Sequence, residues 1–269
     1  MKEIEIAVEA ARAAGEALLG FFGKPIKVER KAGDEPVTIA DREANALIVA
    51  RLRAAFPDDA ILSEELPDDG SRHGAHRVWM VDPMDGTKEF LRGDSGFSVM
   101  IGLCEDGRPA VGVVLAPTAG RLYTAARGDG AFVKEAGSAA PRRLHVSAIA
   151  ELRAARMVSS RSHRGSITER IRDALGVADD LACGSVGLKL GLIAEGVRDV
   201  YVNPSGRSSL WDACAPDVVL TEAGGRLTDA RGGPIDYLGE LANRHGLLAT
   251  NGLLHDLAIA RLGPVLPAA

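Results

Sequence analysis

Cysteine, aromatic side chains and long apolar runs are all scarce in this 269-residue chain. The three cysteines, Cys104, Cys183 and Cys214, are odd in number, far apart and in no Cys-x-x-Cys pair. That spacing excludes a disulfide framework or a cysteine zinc site and suits reduced thiols. Aromatics make up 4% of the residues, so few rings are on hand to stack a base. No apolar run approaches the roughly 20 residues of a membrane helix. The opening Met1-Lys-Glu-Ile-Glu-Ile carries acids where a signal peptide has a basic and then an apolar stretch, so a cytoplasmic protein is expected. Positive charge is not in excess: 32 Lys and Arg stand against 37 Asp and Glu, a net charge of −5. No overall cationic field draws in a nucleic-acid polymer or anionic lipid, and any anionic ligand must be met locally.

With 46% hydrophobic and 26% charged residues, the composition is globular and the chain is long enough for one large domain or two subdomains. Residues 3 to 22 place Ile4, Val8, Ala11, Leu18, Leu19 and Phe22 near one helical face, with a stop at Gly23 and Pro25. A second helix begins around Thr38 to Asp41 and ends at Pro57. Short strands then follow at Ala60–Ser63, Arg77–Val81, Phe97–Cys104, Pro109–Leu115, Leu122–Ala126 and Ala131–Val133, separated by turn signals such as Gly128-Asp129-Gly130. Consecutive hairpins predict a largely antiparallel sheet. After Pro141 the pattern alternates: strands near 157–159, 200–202 and 247–250, and helices near 166–175, 186–195, 212–223 and 254–262. This predicts an α/β second half. The segment from Gly137 to Leu152 is the candidate junction, giving an N-terminal α+β subdomain over 1–140 and a C-terminal α/β subdomain over 141–269.

The most informative segment is Val78-Trp-Met-Val-Asp82-Pro-Met-Asp85-Gly-Thr-Lys-Glu-Phe90, an apolar strand running into two aspartates. Pro83 and Gly86 force a tight turn, which can aim both carboxylates and the Met84 carbonyl at one point. The Gly86 and Thr87 amides are then left to face an anion. The same residues also read as a plain turn that caps a loop. Glu64 and Glu65 end the preceding strand, and Trp211-Asp212 opens a helix leading to Glu222-Ala-Gly-Gly225. Singly these are a solvated acidic pair and a helix cap. Together they are the carboxylates that a magnesium site needs from separate elements.

The Asp-Pro-Met-Asp-Gly-Thr segment, the Ser-Glu-Glu before it and the Trp-Asp with Glu-Ala-Gly-Gly resemble the inositol monophosphatase superfamily of magnesium-dependent, lithium-sensitive phosphatases. The resemblance covers nearly the whole chain and implies a layered αβαβα sandwich. Three features are similar to the 3′(2′),5′-bisphosphate nucleotidase branch: Asp-Gly-Thr-Lys-Glu-Phe at 85–90, Ser-Arg-Ser-His at 160–163, and Trp-Asp-Ala-Cys-Ala-Pro at 211–216. The resemblance implies two principal Mg²⁺ ions. Glu64, Asp82 and the Met84 carbonyl would hold the one that activates water, and Asp82, Asp85 and Asp212 the other. It implies that Thr87 binds the nucleophilic water, that Asp41 accepts its proton, and that Glu65 lies near a weaker third cation. Asp41 by itself reads as a helix cap.

Substrate selection falls to residues of the second half. Ser162 and His163 become nucleotide contacts by the resemblance, whereas alone they are an exposed polar loop. Gly184-Ser-Val-Gly-Leu-Lys189 opens a helix, where free amides, Ser185 and Lys189 are candidates for a second phosphate. Arg207, in the loop before Trp211-Asp212, is a further candidate. Pro216 is expected in the first helical turn, where its missing amide costs nothing. The substrate expected is adenosine 3′,5′-bisphosphate, cleaved to AMP and phosphate in sulfur metabolism, by a monomer or homodimer. Alternatives are an inositol monophosphate, another small ester, or a catalytically silent sensor of a phosphometabolite or cation.

Overall fold

The structure is a computed structural model that describes residues 1–30, 36–162 and 165–266. In chain order its elements are α1 (Lys2–Phe21), β1 (Val28–Arg30), β2 (Pro36–Thr38), α2 (Ile39–Ala55), β3 (Ala60–Ser63), β4 (Arg77–Asp85), α3 (Thr87–Leu91), β5 (Ser98–Glu105), β6 (Arg108–Ala116), β7 (Arg121–Ala126), β8 (Gly130–Lys134) and β9 (Arg142–Arg143). They continue with β10 (Arg156–Ser160), α4 (Ser166–Leu175), β11 (Asp179–Cys183), α5 (Val186–Ala194), β12 (Val200–Asn203), α6 (Leu210–Glu222), β13 (Arg226–Thr228), β14 (Leu247–Thr250) and α7 (His255–Leu262).

Among the described residues, one sheet has the order β3-β4-β5-β6-β7-β8-β9 and a second the order β11-β10-β12-β14-β13. Helices α1 and α2 cover one face of the first sheet, α5 and α6 lie between the sheets, and α4 and α7 pack together outside the second. This is the expected αβαβα layering. The first sheet is not wholly antiparallel, because β3 pairs with β4 in parallel. The long connection from 64 to 76 lets the chain return to the same end before β4 starts. In the second sheet β10 is parallel to both β11 and β12, whereas β14 runs antiparallel to β12 and β13.

Along α1, Ala7, Ala10, Ala11, Ala14 and Leu18 are fully buried. Leu19, expected on that face, is 42% exposed, because a stripe of alanines rather than large side chains lets α1 lie close to its neighbours. Helix α6 crosses the first sheet over two glycines. A Cβ on Gly102 would come within 2.7 Å of the Ala215 nitrogen, and one on Gly112 within 2.2 Å of the Ala215 oxygen. No larger residue permits that approach, which brings Asp212 toward β4. Pro216 lies inside α6, not in its first turn, since the helix starts at Leu210. It removes the amide that would bond the Asp212 carbonyl, and close packing on the sheet offsets the loss.

Candidate active site

The centre of the site is the C-terminal end of β4. Pro83 has no amide for the ladder, and the register with β5 slips there: Asp82 pairs with Met100 but Asp85 pairs with Ser98. This bulge puts one extra residue on β4 and turns the aspartates toward one place. The Met84 amide donates to Asp82 Oδ1 at 2.9 Å, fixing that carboxylate within its own turn. Gly86 follows with φ +104°, and a Cβ there would lie 2.9 Å from the Gly96 oxygen, so both conformation and space require glycine.

Two helix starts supply the other acids by one shared device. In α2, Thr38 is the N-cap and Asp41 the third helical residue. The Thr38 amide and hydroxyl both donate to Asp41 Oδ2 at 2.7 Å. In α6, Ser209 is the N-cap, and its amide donates to Asp212 Oδ2 at 2.7 Å. Each aspartate closes a capping box and is thereby held in one orientation. The Thr87 hydroxyl lies 3.3 Å from both Asp41 Oδ1 and the Met84 oxygen. Its single proton serves one of these at a time, and the oxygen lone pairs stay open to a water.

Carboxylate oxygens of Asp82, Asp85 and Asp212 lie within 4.8 Å of one another. Burial, and then the negative charges of Glu64, Asp85 and Asp212, push the Asp82 pKa well above the usual carboxylate range. Burial followed by Asp85 does the same to Asp212. Glu64 is half-buried beside Asp82, with its amide on the Val81 carbonyl. Glu65 is half-buried as well. Such a cluster of anions calls for a cation.

On the substrate side the expectations fare differently. Ser185 is fully buried, and its hydroxyl donates to Asp85 Oδ2 at 2.6 Å. Its oxygen accepts from Leu188 N at 3.2 Å and faces Ser98 Oγ at 2.7 Å, so Ser98 must be the donor and Ser185 has no hydrogen-bonding capacity left. The Val186 and Gly187 amides also point at Asp85 Oδ2, at 2.5 and 3.3 Å. The amides expected to be free for a phosphate are thus occupied by a carboxylate of the chain itself. Lys189 is 2% exposed; its ammonium reaches the Gly184 carbonyl and sits 5.0 Å from the Tyr201 ring centre. Burial lowers its pKa, and Asp85 opposes that most strongly, so the lysine is an internal cation near the cluster. Arg207 is exposed on the turn between β12 and α6. Ser162 is half-buried and bonded to Glu89 and to Arg92. His163 lies outside the described residues.

Sequence reasoning put Thr38 at a helix start but read Asp41 and Asp212 as the caps, and missed Ser209, although a Thr or Ser three residues before an Asp is a readable cap signal. It also missed Ser98 and Glu89, for which nothing local gives a signal.

The model of the inositol monophosphatase family matches residues 2–264. The chain belongs to that family. It is 40% identical over 270 residues to the histidinol-phosphatase of Mycobacterium tuberculosis, covering 97% of each chain. It is 37% identical over 235 residues to the 3′(2′),5′-bisphosphate nucleotidase CysQ of Shigella flexneri, covering 85% of this chain and 91% of that one. The solved Thermotoga maritima IMPase superposes with a TM-score of 0.85 at 29% identity, over 98% of both chains. As an inositol monophosphatase family member, the chain is a phosphoric monoester hydrolase.

The family is metal-dependent, generally on Mg²⁺, and the residues here fit that ion. The donors are all hard oxygens, carboxylates plus the Met84 carbonyl, and mutual repulsion within the cluster is relieved by a divalent cation. Among the described residues, no helix is long and apolar enough to cross a membrane.

Proposed function

We propose that the chain removes the 3′-phosphate of adenosine 3′,5′-bisphosphate, giving AMP and phosphate, with two Mg²⁺ held by Glu64, Asp82, the Met84 carbonyl, Asp85 and Asp212. Bound there, magnesium supplies a Lewis acid for the phosphoryl oxygens and acidifies a neighbouring water. Thr87 orients that water through a hydroxyl lone pair, and its own proton points to Asp41 Oδ1. Asp41 thereby receives the proton as water attacks in line. The capping box on Oδ2 keeps Oδ1 turned to Thr87. Gly86 and Thr87 start α3 at the phosphate position, and no covalent enzyme intermediate is needed. The metal ligands other than Asp212 fall in the 1–140 half, and Asp212 joins the substrate loops in the 141–269 half, so catalysis requires both.

The observation that carries the chemistry is the Thr87–Asp41 pair standing beside three converging carboxylates. The nucleotide is supported by the CysQ relatives and by the Ser-Arg-Ser segment tied to the same helix as Thr87. A second reading, histidinol phosphate, is favoured by the 40% identity that spans 97% of both chains. It is favoured also by the engagement of Ser185, Val186 and Gly187 with Asp85, which withdraws the groups expected to hold a second phosphate. Side-by-side phosphate release from adenosine 3′,5′-bisphosphate, histidinol phosphate and inositol 1-phosphate decides. The nucleotide reading expects kcat/KM about tenfold or more above the other two, a difference of one charged contact. Equal or faster turnover of either competitor overturns it.

A further inference from the structure

Glu89 is 4% exposed, yet no part of the chemistry above uses it. It sits in α3, two residues after Thr87, and its stem fills the space where two separate segments meet. A Cβ on Gly96 would come within 3.4 Å of Glu89 Cγ, and one on Gly184 within 2.8 Å. The carboxylate accepts from the Ser162 hydroxyl, whose oxygen in turn accepts from Arg92 Nη1 at 3.0 Å. Next to this, Arg161 forms an ion pair with Asp94, and its amide bonds the Cys183 carbonyl at 3.0 Å. Glu89 also lies close enough to Lys189 to raise that lysine's affinity for its proton. A buried carboxylate is costly unless hydrogen-bonded and near a cation, and this one has both.

We propose that Glu89 is a positioning residue that latches the 160–162 segment to α3, and so fixes where the non-reacting part of the phosphate ester is held. The inference rests on the phosphomonoesterase reading for its kinetic form, but the latch itself is a property of the fold. Asp82, Asp85, Asp212, Asp41 and the Thr87 hydroxyl are held by partners of their own, the Met84 amide, Ser185, the Ser209 amide, Thr38 and Asp41 in turn. Its loss therefore loosens the wall that meets the substrate while the reacting end keeps its geometry. Binding that is equal in ground and transition states appears in KM rather than kcat. Glutamine keeps an oxygen that accepts from Ser162 and so retains most of the latch, whereas alanine retains nothing.

The test uses the full chain with saturating Mg²⁺ and whichever of the three esters the wild type hydrolyses best. For Glu89→Ala, KM is expected to rise about tenfold with kcat within about threefold, the loss of one hydrogen bond to a charged group. Glu89→Gln is expected to recover most of the KM. In the same variants, hydrogen exchange of peptides ending at Ser162 accelerates in Glu89→Ala, while that of β5 does not change. An unchanged KM with unchanged exchange at 160–162 overturns the proposal, as does a fall in kcat with faster exchange in β5, which marks a merely structural role. If the wild type cleaves none of the esters, the functional reading fails, and the exchange measurement still decides the latch.

Discussion

The acid turn and the proposed substrate wall both join hydroxyls to carboxylates, but are held in different ways. At the acid turn most of the bonds span two or three residues, Met84 to Asp82, Thr87 to Met84, Thr38 to Asp41 and Ser209 to Asp212, and the contact of Thr87 with Asp41, 46 residues apart, joins turns already fixed in this way. At the wall they span long stretches of chain, 73 residues from Glu89 to Ser162 and 100 from Asp85 to Ser185. Local bonds survive changes elsewhere in the fold, so the chemistry sits on rigid turns. The wall is assembled only when the two sheets and the helices between them are in register.

The largest effect expected lies in the acid turn. Asp82→Asn removes one anion from the cluster and should lower phosphate release by at least about a thousandfold, the order of a lost metal's several kcal/mol. Stability should not fall, because the carboxylate lost is one that burial and three neighbouring acids hold against ionisation. Thermal melts without metal and rates with excess Mg²⁺ check both halves. EDTA should abolish wild-type activity and Mg²⁺ restore it. Wild-type rates in the variant would break the contrast between the two regions.

Next in size is Asp41→Asn. Asparagine still fills the capping position but takes no proton, so kcat should fall by about a hundredfold, within the usual range for a lost general base. A further loss of about 1 kcal/mol in stability is expected from the weakened cap. A loss of stability without a loss of kcat would make Asp41 a cap and nothing more, the other reading of its sequence position.

The same contrast decides what was legible in the sequence. The Asp-Pro-Met-Asp-Gly-Thr turn could be read because proline, glycine and the preceding apolar strand constrain geometry within a few residues, and the bulge at Pro83 delivers Asp82 and Asp85 as that reading required. The changes of period near residue 60 and again near 141 pointed to the hairpin sheet and the alternating second half, whereas the layer order came from the family resemblance. What escaped depended on distant partners. Strand β11 begins with two aspartates and has little β propensity, and its register is set wholly by β10. Helix α3 has five residues, too few to show a period. Ser185 looked like a free helix start because nothing near it reveals that Asp85 occupies its hydroxyl and the amides behind it.

A smaller effect is expected at the wall's exposed rim. Arg207→Ala should raise KM about three- to tenfold with kcat unchanged if this guanidinium meets the far end of the ester, as an exposed charged contact does. The rise should appear with the bisphosphate and shrink with a substrate that has a single phosphate. An equal rise for both would place Arg207 at the reacting phosphate and blur the boundary between the two regions.

The smallest effect comes from α7, whose buried histidine is a counterpart to the acid cluster with the opposite sign. His255 is fully buried between the Thr228 and Thr250 hydroxyls, each 3.0 Å from a ring nitrogen. Burial, and then the charge of Arg226, lower its pKa to about 4 from 6.5. The unfolded chain therefore takes up a proton at pH 5 that the folded chain refuses, and this stability is lost as pH falls from 6.5 toward 4. Asp217 works the other way: burial raises its pKa to about 6 from 3.8, so its contribution is lost as pH rises through 6. The two oppose each other over the same window. His255→Gln is expected to be less stable than the wild type at pH 7, with the gap in Tm narrowing by a few degrees at pH 5, as expected for about 1 kcal/mol in a chain this size. Melts in excess Mg²⁺ keep the acid cluster ionised, so the change in the gap reports His255. A gap that stays constant between the two pH values would mean that the histidine does not titrate with the fold.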